Sequence, residues 1–341
     1  QLGRALVHAE EDRAVLGAGA IGSVAAGLLT KAGEDILLVG RPQQVAAVRE
    51  RGLILKTSAG QETVPVRVAE RLDRVYDLVI FTVKSQDLEQ AYQDNAAFLE
   101  HGRVLTTQNG VQRDNLLSTH FEPENIYSSI VMFGATYTKP GEVVFNFSGD
   151  WVLGKPYAPL DCMIEDIAGV LRKAFPVTVT PSLVGMKWLK LFINFNNSIT
   201  ACLGFSMQET FADVDFCRLS VLLLKEGLQI VRAAGIELVS LPSFPVERIF
   251  GLADMPMDTA AGIIRQTLTG LSREPVYGSI LQSIKRGKSS EIDFINGEVD
   301  LLASSLQMKA PLNRKIVALV HRVESTGNFL SPAQLKAEFG L

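Results

Sequence analysis

The feature that most constrains this chain is the run Gly17-Ala18-Gly19-Ala20-Ile21-Gly22. It matches G-x-G-x-x-G, follows the apolar run Ala14–Leu16 and opens the helical pattern Ile21–Ala32. A strand, this turn and then a helix make the fingerprint of a dinucleotide-binding βαβ unit. Gly17 permits the tight turn, Gly19 lets the backbone approach a pyrophosphate, and Gly22 lets helix and strand pack closely. Ala18, Ala20 and Ile21 complete the loop, whose amides at the helix N-terminus offer partial positive charge to phosphates. A carboxylate at the end of the second strand usually grips the ribose hydroxyls of NAD. Here that position is Gly40, followed by Arg41, while Glu34 and Asp35 precede the strand. No carboxylate repels a 2′-phosphate and a guanidinium is at hand to bind one, so NADPH is the expected cofactor.

The pattern around this turn extends the same fold. Strand runs are expected at Ile36–Val39, Leu53–Lys56, Leu78–Val83, Arg103–Thr106, Ile126–Phe133, Glu142–Phe147 and Val177–Val179, with a helix over Gln43–Arg51. Their alternation predicts a mostly parallel, doubly wound α/β domain of the Rossmann type. Pro140-Gly141 predicts an antiparallel hairpin late in it. Beyond Pro181 the texture becomes helical, with apolar spacing over Ser182–Ser206, Asp213–Ala234, Ala260–Thr269, Tyr277–Arg286, Ile292–Leu306 and Pro311–Glu324. Pro242, Pro245 and Pro256 mark a loop region. The chain is therefore expected to comprise an α/β domain over 1–180 and an all-α domain over 181–341, with a ligand cleft between them.

Composition narrows the function classes. The 341 residues are 47% apolar and carry a net charge of −4, which suits a buried core and gives no basic footprint for nucleic acid. Cys162, Cys202 and Cys217 lie far apart, and His8, His101, His120 and His321 show no metal-ligand spacing. No metal site or disulfide framework is expected, and a reducing cytoplasm is the natural setting. Residues 1–13 carry five charged side chains and no apolar core, unlike a signal peptide. The stretch Leu183–Met207 is interrupted by Lys187, Lys190 and three asparagines, which argues against a membrane span.

Six separated motifs in order then give a family resemblance: GAGAIG at 17–22, VGR at 39–41, TVK at 82–84, QNG at 108–110, KWLKLFIN at 187–194 and SSEIDFING at 289–297. From about Arg13 to Glu324 the chain resembles 2-dehydropantoate 2-reductases (ketopantoate reductases). Members reduce ketopantoate to pantoate with NADPH, on the route to pantothenate and coenzyme A. The resemblance implies that Lys190 is the catalytic lysine, that Glu291 binds the substrate hydroxyl and orients Lys190, and that Asn194 and Ser279 bind substrate. It further implies that Lys84 contacts NADPH and that Asn109 lies near the nicotinamide ribose and the lysine. Reducing a ketone needs hydride at carbon and a proton at oxygen, and a positioned ammonium supplies the second.

Two positions depart from the family pattern. The second substrate asparagine commonly stands four residues after the first, which is Ser198 here. On a continuous helix Asn194 and Asn197 lie ~40° and ~20° from Lys190 around the axis, whereas Ser198 lies ~80° away. Asn197 is therefore the expected substitute. Ser283 stands where an aspartate is common. Two other readings use the same motifs: a related NADPH-dependent reductase of another branched 2-oxo acid, and a non-catalytic NADPH-binding regulator. Apolar helices such as Val214–Val231 could pack internally or build a homodimer.

Overall fold

A computed structural model describes residues 12–100, 102–111 and 113–341. His8, His101 and nearly all of the charged N-terminal stretch lie outside the described residues. The chain folds into two compact units: one comprises 1–108 and 113–183, the other 109–112 and 184–341. Residues 109–111 thus group with the second unit, which a single cut in the chain does not describe.

The first unit contains strands β1 (Arg13–Leu16), β2 (Ile36–Val39), β3 (Leu53–Thr57), β4 (Gly60–Val64), β5 (Arg67–Ala69), β6 (Leu78–Phe81), β7 (Arg103–Thr106), β8 (Ile126–Val131), β9 (Gly134–Lys139), β10 (Glu142–Phe147), β11 (Trp151–Gly154) and β12 (Val177–Val179). Eight form one sheet in the order β12-β11-β8-β7-β6-β1-β2-β5. Every pair in it is parallel except β11 with β8. The chain order reverses between β1 and β6, the switch point at which open α/β sheets hold ligands. β2, β6 and β8 are buried along their whole length. Alternate residues explain why: Val15, Leu38 and Ile80 join one core cluster, while Leu16, Val39 and Phe81 join another. Both sheet faces are covered, as parallel sheets require.

The Pro140-Gly141 hairpin forms with Gly141 at φ +77°, a left-handed conformation suited to glycine. It belongs to a second, four-stranded sheet, β4-β3-β10-β9, rather than to the main one. β4, β5, β9 and β11 lie outside the runs expected from pattern. β4 is largely exposed and polar and β5 is only three residues long, so neither carries an apolar alternation to read. Helices α1 (Ala20–Lys31), α2 (Pro42–Arg51), α3 (Leu88–Gln93), α4 (Arg113–Leu117) and α5 (Cys162–Arg172) complete the unit. α5 was not anticipated; the Asp161 carboxylate caps it by accepting the Ile164 N–H at 3.1 Å.

The second unit is helical: α6 (Leu183–Asn194), α7 (Asn196–Leu203), α8 (Met207–Phe211), α9 (Val214–Ala233), α10 (Glu247–Asp254), α11 (Met257–Thr269), α12 (Ser279–Lys285), α13 (Asn296–Ser305), α14 (Pro311–Thr326) and α15 (Pro332–Phe339). α9 is its centre, and α11, α13 and α14 cover its apolar face within the chain. The loop region expected around Pro245 holds α10, and Pro256 immediately precedes α11. The single helix expected over 182–206 is two. At Phe195 and Ser198 the amides bond to carbonyls three residues back, Phe192 and Phe195, and this tightened turn separates α6 from α7. Among the described residues no helix is long and apolar enough to cross a membrane.

Candidate active site

The glycine turn follows β1, and its three glycines face different surroundings. Gly17 has φ +125°, and a Cβ there would fall 2.5 Å from the Val83 amide nitrogen. At Gly22 a Cβ would lie 2.0 Å from the Gly17 carbonyl oxygen and 2.3 Å from Thr82 Oγ1. Thr82 Oγ1 in turn donates to the Gly17 carbonyl at 2.7 Å, tying the turn to the end of β6. Gly19 is the opposite case, since among the described residues nothing beyond its own chain neighbours lies within 4 Å of its missing Cβ. Gly17 and Gly22 are thus required by the fold itself, whereas the space over Gly19 is left open. Ala18, Ala20 and Ile21 lie in the same turn and first helical residues.

The absence of a carboxylate after β2 also has a steric cause. A Cβ on Gly40 would meet the Ala18 Cβ at 2.5 Å, so a side chain at 40 would displace the glycine turn. Arg41 stands at the start of α2 with its side chain 77% exposed, and its Nη2 is 3.6 Å from Asp87 Oδ2. Such an exposed pair holds a side chain only loosely. Lys84 precedes the short turn Ser85–Asp87, just beyond β6. Gln108, which pattern alone did not single out, is buried. Its amide donates to the Phe81 and Val83 carbonyls at 3.0 and 2.8 Å, joining the ends of β6 and β7.

In the second unit Lys190 and Asn194 are four apart on α6 and therefore neighbours on one face. Burial pushes the Lys190 ammonium down to about 8; the Glu291 carboxylate opposes that shift and the Lys187 charge adds to it. Lys187, one helical turn before Lys190, is itself buried. Glu291 precedes the short turn Ile292–Phe294 instead of lying in the first turn of a long helix, because the expected helix over 292–306 breaks at Ile295. Ser290 Oγ accepts the Ile292 N–H at 3.3 Å, and Glu324 accepts the Ser290 N–H at 2.7 Å, so both flanks of Glu291 are fixed. Asn109 Nδ2 donates to Glu291 Oε2 at 3.1 Å. QNG and SSEIDFING, far apart in the sequence, therefore meet.

The 100° phase used for Asn197 does not carry across the tightened turn at Phe195. Asn197 is instead placed by a neighbour: a Cβ on Gly278 would fall 2.3 Å from Asn197 Oδ1, which sets this asparagine beside Gly278-Ser279. Ser279 opens α12 and is exposed. Ser198 is buried and its hydroxyl donates to the Phe195 carbonyl at 2.6 Å. Asn196 Oδ1 accepts from Ser220 Oγ at 2.5 Å. Of these three polar residues Asn197 is the one set beside Ser279. Ser283 Oγ donates to the Ser279 carbonyl at 3.1 Å. Missing from the sequence reading is Glu298, whose Oε1 accepts the Val111 N–H at 3.1 Å. Its signal was a carboxylate three residues after Ile295 on the otherwise apolar face of a helix.

A Rossmann-type unit with this glycine turn, joined to a helical unit carrying a buried lysine beside a carboxylate, defines the class: an oxidoreductase. Comparison with known proteins makes it specific. Residues 13–157 match the family model for ketopantoate reductase PanE/ApbA, and residues 182–324 match the model for its C-terminal part. The 2-dehydropantoate 2-reductase of Pyrococcus horikoshii is 31% identical over 92% of this chain and 97% of its own. That of Archaeoglobus fulgidus is 26% identical over 91% and 97%. Among solved structures, a PanE/ApbA family ketopantoate reductase from Ralstonia eutropha JMP134 superposes with TM-score 0.77 at 27% identity, covering 92% of this chain and 98% of its own. D-mandelate dehydrogenase bound to NADH and anilino(oxo)acetate shares the fold, with TM-score 0.80 at 22% identity, covering 92% and 98%. The chain belongs to the ketopantoate reductase family, PanE/ApbA.

Proposed function

We propose that this protein reduces 2-dehydropantoate to pantoate with NADPH and that Lys190 is the proton donor. The observation that carries the reading is Lys190 itself, a buried ammonium pushed down to about 8 with the Glu291 carboxylate beside it. An acid of that strength is still protonated at neutral pH and close enough to it to release its proton during reaction.

The residues of the first unit fit the cofactor. The open space over Gly19 admits a close-approaching pyrophosphate, while the steric demands at Gly17 and Gly22 keep the turn in shape. Gly40 cannot carry the carboxylate that would repel a 2′-phosphate, and Arg41 is loosely enough held to turn onto one. Lys84 and Asn109 are assigned to the cofactor as well. When bound, a reduced nicotinamide supplies the hydride for the keto carbon.

The remaining chemistry belongs to side chains of the second unit. Asn194, Asn197 and Ser279 orient the substrate hydroxyl and carboxylate. Lys190 polarises the keto oxygen and protonates it as negative charge develops there. Glu291, fixed by Asn109, holds the substrate hydroxyl and keeps Lys190 charged until its proton is needed. The test is the loss of reduced-nicotinamide absorbance with NADPH or NADH, using ketopantoate and a panel of other branched 2-oxo acids. NADPH-dependent turnover selective for ketopantoate is expected. Turnover confined to another panel member would replace the substrate, and NADPH binding without turnover of any member would overturn the reductase reading.

A further inference from the structure

Glu298 is 1% exposed, on the face of α13 that also carries Val299. A carboxylate withdrawn from water is costly unless it is hydrogen-bonded, so its placement demands a reason beyond filling space. The structure shows what it holds. Oε1 accepts the Val111 backbone N–H at 3.1 Å. One residue earlier, Gly110 has φ +94°, and a Cβ there would fall 2.6 Å from Glu298 Oε1 and 3.1 Å from the Phe294 carbonyl oxygen. The backbone of 110–111 is therefore seated directly on the 294–298 stretch, and only glycine permits that approach. The next residue back is Asn109, whose side chain donates to Glu291 at 3.1 Å.

We propose that Glu298 is a positioning residue: by gripping the Val111 amide it holds Asn109 on Glu291 and so fixes the Glu291 carboxylate against Lys190. The role depends on the reading of Lys190 and Glu291 as the reducing machinery. Glu298 touches no reacting atom. It acts through Val111, Gly110, Asn109 and Glu291, each linked to the next by backbone or by a hydrogen bond. The acceptor oxygen is what matters rather than the charge, so an amide of the same length should serve and an apolar side chain of the same length should not.

The experiment compares Glu298→Gln, Glu298→Met, Asn109→Ala and the double variant Glu298→Met/Asn109→Ala in the whole protein. Ionisation of Lys190 is followed by NMR of isotopically labelled lysine, assigned by loss of the signal in Lys190→Ala, alongside steady-state reduction, NADPH affinity and thermal melting. Glu298→Gln is expected to leave the Lys190 titration in place. Glu298→Met should move it to lower pH and cut kcat by about tenfold or more, the scale of a small misplacement. In the Asn109→Ala background the same change should add nothing further, since the relay is already cut. Additive effects, equal effects of Gln and Met, or a lowered melting temperature with an unmoved Lys190 titration would each overturn the proposal. Should Glu298→Met fail to fold, Asn109→Ala alone decides: an unmoved Lys190 titration leaves Glu298 nothing to act through. The titration needs no turnover, so it separates failure of this proposal from failure of the reductase reading, which an active Lys190→Ala would show.

Discussion

The glycine turn after β1 and the lysine cluster of the helical unit are built by opposite means. In the turn, sterics rule: Gly17 and Gly22 stand where a single added carbon would strike backbone, and the residues involved are neighbours in sequence or on adjacent strands. In the cluster, side-chain charge rules. Lys190, Glu291 and Asn109 come from three distant segments, and the lysine's acidity is a balance between burial, a carboxylate and a second ammonium. A site made of backbone tolerates almost no substitution but asks nothing of electrostatics. A site made of charges tolerates shape changes better and is sensitive to each neighbouring ion.

Substitutions can break that contrast or sharpen it. The largest effect is expected for Lys190→Ala, which removes the proposed proton donor and should lower kcat by about 10²–10⁴-fold with NADPH affinity retained, as fluorescence titration would show. Next comes Gly22→Ala. Its Cβ would collide with the Gly17 carbonyl and should destabilise the first unit by about 1–3 kcal/mol in denaturant unfolding. Gly19→Ala is the matched control: melting should be unchanged while NADPH binds more weakly, because the proposed pyrophosphate would take that space. Arg41→Ala should weaken NADPH by about ten- to a hundredfold, the worth of charge-assisted hydrogen bonds, and leave NADH affinity nearly unaltered. The smallest effects are shifts of the alkaline limb of kcat/KM, and their signs differ. Glu291 supports the charged lysine, so Glu291→Gln should move the limb to lower pH; Lys187 opposes it, so Lys187→Met should move it higher.

How much of this was legible in the sequence follows from the same contrast. The turn could be read because its requirements are local: three glycines at fixed spacing, a strand before them and a helix after. Buried strands such as Ile36–Val39 were equally plain, since both faces are apolar. The exposed edge strand Gly60–Val64 was not, because it is held by backbone pairing to β3 rather than by a hydrophobic pattern. In the cluster, family motifs pointed to Lys190, Asn194 and Glu291, but their assembly depends on tertiary details. The break at Phe195 depends on how the helix tightens, and periodicity cannot show that. The helical phase that favours Asn197 does not survive the break, and its position is set instead by contact with Gly278 across the unit. Glu298 was passed over because an isolated acid in a helix usually faces solvent, and only the fold reveals the Val111 amide above it.

The central claim is that Lys190, with its acidity set by burial and by Glu291, delivers the proton during reduction. Its most direct test is kcat/KM for ketopantoate reduction across pH, in the wild type and in Lys190→Ala. On the proposed mechanism the ammonium is the active form, so the wild-type value should be level below about 8 and fall above it as the proton is lost. The variant should be slow throughout, without that limb. A Lys190→Ala protein with wild-type kcat/KM, or one that keeps the same alkaline limb, would contradict it.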